Sequence, residues 1–377
     1  MKKNRPLKIG IVCYPTYGGS GVVAAELGKH LIKMGHEIHF FSYSLPIRLN
    51  SYENKIFFHE VTWIDYPLFE QSPYSLALSA KLVEVSTYYK LDLIHVHYAL
   101  PHSISAILAR DMVKKKKLKI VTTLHGTDVT LVGIDESFYP ITKYGIEQSD
   151  AVTCVSKFLA DLTIEKFFLR KKPHVIPNFV DTNEFVPGKR RHHCPILADS
   201  RYNIIHISNF RPIKRVVDVI KAFEIIQKDI DACLLMVGDG SERSQAERYA
   251  LDHNILSKVH FLGKQINIIE LLQSSDILLL PSELESFGLV ALEAMSCETP
   301  VVSTNVGGLP EVIVHDETGY LTKVGDIKNM AEYCLKILTN PSLKTTLGKN
   351  ARLRAQNLFD TNKVVPLYEQ LYKQILS

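Results

Sequence analysis

The sequence predicts an α/β protein with two doubly wound domains, each a parallel sheet covered by helices. Short β-branched runs alternate with amphipathic helical patterns along most of the chain. The alternation stops at a polar stretch near the middle and then restarts. The length of 377 residues suits two domains of ordinary size, each able to bury its own core.

The first domain is predicted to span residues 1–182. Between its strands lie helical patterns such as VVAAELGKHLIKM, whose apolar residues recur about every 3.6 positions and which Gly35 is expected to end. The predicted strands are LKIGIVCY, HEIHFFSY, LDLIHVHY, LKIVTTL, AVTCVS and HVIPN.

The polar, basic stretch TNEFVPGKRRHHCPILADSR predicts a linker, which we assign to residues 183–201. The second domain is predicted to span residues 202–359, and the amphipathic segment 360–377 is expected to form a helix that packs back onto the first domain. Two such domains are expected to face a central cleft, with ligands beyond the carboxyl ends of the strands. The strands predicted for the second domain are NIIHIS, ACLLMVG, VHFLG, ILLLPS and PVVST.

Composition excludes several classes of protein. With 46% hydrophobic and 22% charged residues, the chain is typical of a globular enzyme. A formal net charge of +4 predicts no nucleic-acid partner, and the run Lys114 to Lys117 is expected to be a solvated loop. No apolar run approaches the ~20 residues of a membrane span, and the apolar start, which Pro15 ends, predicts a core strand rather than a signal peptide.

The cysteines and acidic residues predict no metal site. The six cysteines show neither C-x-x-C nor metal-ligand spacing, which favours a reducing, cytoplasmic compartment. The triplet Asp229-Ile230-Asp231 precedes a strand, at the wrong end for the cleft, and is expected to be a helix-to-strand turn. The cysteines are Cys13, Cys154, Cys194, Cys233, Cys297 and Cys334.

A glycine-rich segment, Gly18, Gly19, Ser20 and Gly21, lies between the first strand and the first helix. In this position backbone N–H groups can bind a phosphate at the helix N-terminus. The segment does not match the G-x-G-x-x-G motif of dinucleotide-binding sites. The second strand ends in HFFSYSLP, without the acidic residue that a nicotinamide site uses. A nicotinamide oxidoreductase is therefore disfavoured, while a tight turn that merely requires glycine stays open.

The second domain carries a basic motif and an acidic motif, each directly after a predicted strand. ISNFRPIKR places Arg211, Lys214 and Arg215 at the mouth of a helix, where cations and helix N–H groups suit two adjacent phosphates. PSELESFGLVALEAM places Glu285 before the helix and Glu293 more than a turn inside it, so both are expected to face one ligand. The apolar residues around Glu293 disfavour an ordinary surface glutamate.

A third motif, STNVGGLPEVI, contains Gly307 and Gly308, which are expected to let the backbone approach a ligand closely. Together these motifs resemble those of the retaining glycosyltransferases of family four, which have two Rossmann-like domains and the B-type glycosyltransferase fold. The resemblance runs nearly end to end and includes VIPNFVD before the linker.

The opening CYPTYGGSGVVAAELGKHL, with HVHYALPHSISAILAR and TTLHGTDVT, resembles one branch of that family more closely. The resemblance implies transfer of N-acetylglucosamine from UDP-N-acetylglucosamine to L-malate, in bacillithiol biosynthesis, by front-side displacement and without a metal or other cofactor. It implies small-molecule partners only, with no nucleic acid and no integral membrane segment in the chain.

The resemblance also implies roles for individual residues. Lys214 matches the diphosphate-binding lysine, Asn209 stands where the family usually has an arginine, and Arg211 is expected to supply the missing charge. Glu293 matches the ribose-binding glutamate, and His125 matches a histidine near the transferred sugar. The expected catalytic set is His125, Glu285 and Lys214; the expected donor-binding set is Gly18, Gly19, Ser20, Asn209, Arg211, Lys214, Glu285, Phe287, Gly288, Leu289 and Glu293.

L-malate is a small dicarboxylate, so its site needs cations and hydroxyl donors in the first domain. The candidates are Tyr98, Thr122, Thr123 and Lys143, with Arg48 as a more speculative addition, and the sequence does not rank them. A lipid or polysaccharide acceptor, a nucleotide-sugar-binding protein without catalysis, and a homodimeric assembly all stay open at this point.

Overall fold

The computed structural model describes residues 5–16, 18–49, 55–66, 71–113, 118–188 and 201–377. The run Lys114 to Lys117, Cys194 and residues 189–200 of the expected linker lie outside the described residues. The chain divides into two compact units. Unit 1 comprises Met1–Pro177 and Val364–Ser377, and unit 2 comprises Asn178–Lys363, so the division falls before the polar stretch.

Unit 1 is built on a sheet of seven described strands in the order β3-β2-β1-β4-β5-β6-β7, all parallel. The strands are β1 (Lys8–Val12), β2 (Glu37–Ser42), β3 (Ile56–Glu60), β4 (Leu93–His97), β5 (Lys119–Leu124), β6 (Ala151–Cys154) and β7 (His174–Val175). The helices are α1 (Gly19–Lys33), α2 (Tyr74–Tyr89), α3 (Ile104–Met112), α4 (Thr127–Thr130), α5 (Tyr139–Gln148) and α6 (Lys157–Phe167).

Unit 2 is built on a sheet of six described strands in the order β10-β9-β8-β11-β12-β13, also parallel. The strands are β8 (Tyr202–Ile207), β9 (Ala232–Val237), β10 (Val259–Gly263), β11 (Ile277–Leu280), β12 (Val301–Thr304) and β13 (Gly319–Thr322). The helices from here to the C-terminus are α7 (Val216–Ile226), α8 (Arg243–Asp252), α9 (Ile269–Ser274), α10 (Leu289–Ser296), α11 (Leu309–Val312), α12 (Ile327–Leu338), α13 (Pro341–Leu358) and α14 (Thr361–Leu376).

The central strands are buried along most of their length because helices cover both faces of a parallel sheet. In β1, for example, Ile9, Ile11 and Val12 are fully buried. The C-terminal helix α14 runs from unit 2 into unit 1, where its Tyr368 and Tyr372 are buried. The predicted fold class, an α/β chain with two doubly wound sheets, is confirmed.

The sequence pattern missed two edge strands, β3 and β13. β3 pairs with β2 in register from Ile38↔Ile56, and β13 pairs with β12 from Val301↔Gly319. β13 is short and begins with glycine, and β3 ends in a partly polar His59-Glu60 pair, so neither has a strong strand pattern. An edge strand takes its backbone partners from one neighbour, which the local sequence does not reveal.

Strand order reverses once in each sheet, between β1 and β4 in unit 1 and between β8 and β11 in unit 2. At such a switch point the loops after adjacent strands diverge and leave a crevice for a ligand. The glycine-rich segment follows β1, Tyr98 follows β4, and the basic and acidic motifs follow β8 and β11. Within residues 5–377, outside the gaps given above, no helix is both long and apolar enough to cross a bilayer.

Candidate functional site

Lys214 and Glu285 form an ion pair at the switch point of unit 2. Lys214 Nζ lies 2.5 Å from Glu285 Oε1, and the Ser282 hydroxyl donates to the same carboxylate oxygen at 2.9 Å. The backbone N–H of Glu283 donates to the carbonyl of Ile213 at 2.8 Å, so the two loops are joined directly. The side chains of the pair are 19% and 16% exposed, which leaves an accessible ammonium and carboxylate held in defined positions.

Gly307 and Gly308, in the loop after β12, pack against the backbone of the Glu285 loop. Gly307 has φ +58°, and a Cβ there would lie 1.9 Å from the carbonyl oxygen of Glu285. The N–H of Gly308 donates to that same carbonyl at 2.8 Å, and a Cβ at Gly308 would lie 2.4 Å from the carbonyl oxygen of Ser286. The close approach expected at these glycines is therefore to the chain's own backbone.

Helix α10 begins directly after Gly288, which has φ +92°. A Cβ at Gly288 would lie 2.5 Å from Leu309 Cδ2, so this position requires glycine both for its backbone and for space. Glu293 follows in the second turn and is only 4% exposed, which rules out an ordinary surface glutamate. Phe287 is also buried and packs edge-to-face on Phe359, with ring centroids 5.6 Å apart.

The cations after β8 differ in what they contact. Arg215 has φ +50°, and its guanidinium pairs with Asp218 in the first turn of α7 at 2.6 Å. Arg211 and Asn209 are exposed, and within the described residues Arg211 forms no ion pair. Arg215 therefore pairs within its own helix, and diphosphate binding by Lys214 and Arg211 stays a prediction.

His206, near the end of β8, fixes the start of the loop that follows this strand. Its Nδ1 donates to the carbonyl of Leu279 in β11 at 2.8 Å, and burial lowers its pKa to about 4. The ring is therefore neutral, and its Nε2 accepts a hydrogen bond from the Ser208 hydroxyl at 2.8 Å. Ser208 Oγ in turn accepts a hydrogen bond from the N–H of Phe210 at 3.3 Å. Sequence reasoning missed His206, whose only signal is a polar side chain inside the apolar run NIIHIS.

In unit 1 the glycine-rich segment belongs to helix α1 itself. Gly18 is the residue before the helix, and Gly19, Ser20 and Gly21 form its first turn. A Cβ at Gly21 would lie 2.6 Å from the carbonyl oxygen of Tyr14, so the packing of the helix start on its own loop requires that glycine. Gly18 and Gly19 are exposed and Ser20 is buried. The first N–H groups of a helix lack acceptors within it, so this exposed end suits an anion.

Four histidines cluster at the carboxyl edge of the unit 1 sheet: His95 and His97 of β4, His102 and His125. His97 Nδ1 lies 2.8 Å from His125 Nε2, and the two rings stack at 5.1 Å. His102 Nδ1 donates to the carbonyl of His97 at 2.6 Å, and the Tyr98 ring lies 5.5 Å from that of His125. Burial lowers the pKa of His125 to about 3 and that of His102 to about 4, so these rings are neutral near pH 7.

Asp128 shapes the backbone that carries His125. Its carboxylate accepts the N–H groups of Gly126 at 2.9 Å, of His125 at 3.2 Å and of Ala99 at 3.2 Å. Burial raises the pKa of Asp128 to about 6. The loop after β5 is thereby tied to the turn after β4.

The acceptor candidates occupy different environments. Tyr98 is partly exposed, with φ +89°, and its ring lies 5.5 Å from that of Tyr14. Thr122 and Thr123 are fully buried in β5; Thr122 Oγ1 lies 2.8 Å from Ser149 Oγ, and Thr123 Oγ1 lies 2.6 Å from His95 Nε2. These buried hydroxyls have partners already, which disfavours the expected acceptor role.

The two cationic acceptor candidates, Lys143 and Arg48, differ in what the structure shows of them. Lys143 Nζ pairs with Glu147 at 2.9 Å and donates to the carbonyl of Phe167, so its ammonium is used to join α5 to the end of α6. Arg48 is partly exposed and has φ +67°. Of the expected acceptor residues, Tyr98 is the one placed beside His125.

Among the residues that the structure describes, no group of three or more His, Cys, Asp or Glu side chains could hold a metal ion. The triplet from Asp229 to Asp231 lies in the turn between α7 and β9, where Asp231 pairs with Lys258 at 2.8 Å.

Two family models together match most of the chain. Residues 17–184 match Glycosyltransferase Family 4, and residues 195–354 match Glycosyl transferases group 1. The N-acetyl-alpha-D-glucosaminyl L-malate synthase of Bacillus anthracis is 47% identical over 375 residues, which cover 98% of this chain and 97% of the relative. The chain is a family-four glycosyltransferase.

More distant similarities agree with this family and fold. An uncharacterized glycosyltransferase of Methanocaldococcus jannaschii is 28% identical over 97% of both chains. The solved structure of Anabaena HepE with UDP and glucose has a TM-score of 0.81 at 19% identity, covering 97% of this chain and 99% of that one. Sucrose-phosphate synthase from Thermosynechococcus elongatus has a TM-score of 0.79 at 23% identity, covering 98% and 99%. At these identities the two solved structures show the shared fold.

Sequence reasoning about this glycosyltransferase singled out His125 but not its two supports, His97 and Asp128. His97 had a usable signal: HVH places two histidines at alternate positions, on one face of a strand, at its carboxyl end. Asp128 follows His125 in HGTD at the distance of a local turn, a position where aspartate commonly accepts backbone N–H groups.

Proposed function

We propose that this glycosyltransferase transfers N-acetylglucosamine from UDP-N-acetylglucosamine to the hydroxyl of L-malate, with retention at the anomeric carbon and without a metal ion. The observation that carries the proposal is the 47% identity, over 98% of this chain and 97% of the relative, to a protein named for malate glycosylation. The family assignment and the switch-point loops agree with a nucleotide-sugar donor.

In this proposal unit 2 binds the donor. The Lys214 ammonium and Arg211 balance the diphosphate, while Glu285 and the backbone from Phe287 to Leu289 hold the sugar, and Glu293 holds the ribose. The ion pair of 2.5 Å supports this division, because it keeps the lysine and glutamate in place before a ligand arrives. Asn209, which is exposed in the loop after β8, is assigned to donor binding as well. In unit 1, the helix start at Gly18, Gly19 and Ser20 is proposed to bind phosphate through its N–H groups.

Transfer then breaks the bond between the anomeric carbon and the diphosphate oxygen and forms a bond to the malate hydroxyl oxygen on the same face. The malate hydroxyl proton passes to an oxygen of the leaving diphosphate. Lys214 and Arg211 stabilise the negative charge that grows there. His125, with its pKa lowered to about 3 by burial, contributes hydrogen bonding rather than charge near pH 7.

The proposal is tested by measuring UDP release from UDP-N-acetylglucosamine with and without L-malate. We expect malate-dependent release, a product of the corresponding mass, an α-anomer by NMR and full activity in the presence of EDTA. UDP release that does not depend on malate, together with product formed on a lipid or polysaccharide in an acceptor screen, would contradict the acceptor assignment.

Variants of the ion pair separate catalysis from binding alone. We expect Lys214→Ala and Glu285→Gln each to lower kcat/KM by at least about 100-fold, the scale of losing one charge-stabilising contact. Lys258→Ala is the matched control, because Lys258 pairs with Asp231 at 2.8 Å in an exposed turn.

Two further measurements on the parent chain address the alternatives that the sequence left open. Binding of UDP-N-acetylglucosamine without turnover would indicate a binding protein. Light scattering decides between a monomer and a homodimer.

A further inference from the structure

His97 is the inner partner of His125. It is fully buried, its Nδ1 lies 2.8 Å from His125 Nε2, and the rings stack at an interplanar angle of 22°. His125 is partly exposed. Because its Nε2 faces His97, the Nδ1 edge is the one left for a substrate.

Neither His97 nor His125 is charged near pH 7, so charge does not show which ring donates the hydrogen bond between them. Burial and the neighbouring imidazoles hold the pKa of His97 well below its usual value, and burial does the same for His125. The carboxylate of Asp128, three residues after His125, accepts the backbone N–H groups of Gly126, His125 and Ala99. Two neutral rings therefore share a single N–H between Nδ1 and Nε2.

The surroundings of His97 Nε2 decide the direction. This atom is buried and has no hydrogen-bond partner among the described residues. A buried N–H without an acceptor is rarer in proteins than a buried acceptor without a donor. The proton of His97 is therefore better placed on Nδ1, where His125 Nε2 accepts it.

His102 provides an internal comparison. Its Nδ1 must carry the proton, since a carbonyl oxygen can only accept, so its Nε2 is a bare lone pair. That Nε2 is also buried without a partner in the described part of the chain. The interior around this cluster thus already holds one unprotonated Nε2 and accommodates a second at His97.

We propose that His97 is a positioning residue that holds His125 in its Nδ1–H tautomer. His125 then presents an N–H donor, and not a base, to an oxygen atom of the bound substrate. This inference rests on the proposed function only for the identity of that substrate. The tautomer itself follows from the contacts of His97.

The direct test is the tautomer of His125 in the full-length protein, read from the ¹⁵N shifts of selectively labelled histidine side chains. We expect a protonated Nδ1 and an unprotonated Nε2 for His125, with its signals identified by their loss in His125→Asn. A protonated Nε2 on His125 would overturn the inference, whatever the enzyme's substrates are.

Variants at His97 test the consequence for turnover. His97→Leu removes the donor, and we expect kcat to fall about tenfold, the effect of one lost hydrogen bond, while KM for UDP-N-acetylglucosamine stays within about twofold. His97→Asn keeps an N–H near the position of Nδ1, and it is expected to restore most of kcat and the Nδ1–H signal of His125.

His95→Leu is the matched control. His95 lies two positions away in the same strand, equally buried, and stacks on His97 at 4.6 Å, but its hydrogen bonds go to Thr123 and Tyr372. We expect it to lower stability and to leave the His125 tautomer and kcat unchanged. Equal losses of kcat in His95→Leu and His97→Leu would overturn the positioning role. Absence of malate-dependent UDP release in the parent chain would instead overturn the proposed function and leave the tautomer measurement valid.

Discussion

Gly307 has no side chain, yet the position of the Glu285 carboxylate depends on it. The carbonyl of Glu285 lies where a Cβ at Gly307 would be, at 1.9 Å, and the next N–H, of Gly308, binds that carbonyl. The backbone of the acidic loop therefore packs on a glycine pair in the loop that follows the neighbouring strand, β12. At this scale a function-bearing side chain and the residue that places it are different residues.

Gly307→Ala is expected to weaken the binding of UDP-N-acetylglucosamine at least about tenfold, because the Glu285 loop must move to admit the methyl group. Gly325→Ala is the matched control in the same unit: its φ of +77° imposes a similar backbone cost, but the nearest atom to its Cβ lies 3.5 Å away. Calorimetric titration with the donor, alongside urea unfolding, separates the two effects. Equal affinities for the two variants would contradict the argument.

Helix α1 shows how one element combines a structural glycine with an exposed one. Gly21 is packed against the carbonyl oxygens of Tyr14 and Thr16, where a Cβ would lie 2.6 and 2.8 Å away. Gly19, at the helix start, is exposed. The tight-turn interpretation of the glycine-rich segment therefore explains Gly21, and phosphate binding at the exposed Gly19 stays a prediction.

For this element we expect Gly19→Val to weaken transfer far more than it weakens folding, since the branched side chain would obstruct the helix N–H groups. Gly21→Ala is expected to do the reverse and to lower the free energy of unfolding by about 1–3 kcal/mol through overpacking. Turnover and urea unfolding measured on both variants check this. A Gly19→Val protein that loses stability and activity in parallel would return the whole segment to a tight turn.

Among the described residues, the fully buried histidines whose pKa is lowered are concentrated in unit 1. Burial lowers the pKa of His95 and His125 to about 3 and that of His102 to about 4, whereas in unit 2 it lowers the pKa of His206 to about 4. Groups whose pKa is lower in the folded state contribute stability above their unfolded pKa of about 6.5 and lose it as pH falls. The pKa of Asp128 is raised to about 6, so this one carboxyl group has the opposite effect and adds stability as pH falls.

Unit 1 should therefore unfold at a higher pH than unit 2 when the protein is acidified from about pH 6.5 to 4. Each fully buried neutral histidine contributes a slope of about 1.4 kcal/mol per pH unit in that window. Trp63, the single tryptophan of the chain, lies in unit 1 and reports its unfolding by fluorescence, while hydrogen exchange follows unit 2. Simultaneous loss of both units at every pH would contradict this prediction.

The candidate site was partly predictable from local patterns. The burial of Glu293 could be expected from its apolar neighbours, and the start of α10 from Gly288. The engagement of Arg215 with Asp218 could not, because it depends on a left-handed backbone conformation at the arginine. The burial of both Thr122 and Thr123 could not be predicted either, because strand alternation puts them on opposite faces and helices cover both faces of this sheet.

The sequence by itself determined the two doubly wound domains, the loops that carry the charged motifs and the family, because these depend on periodicity and on motifs that are contiguous along the chain. Tertiary structure alone decided which side chains meet. Lys214 and Glu285 are 71 positions apart, and His97 and His125 are 28 apart. Parallel strands bring the ends of distant segments to one edge of a sheet, and the strand order, which local pattern does not encode, chooses which ends are neighbours.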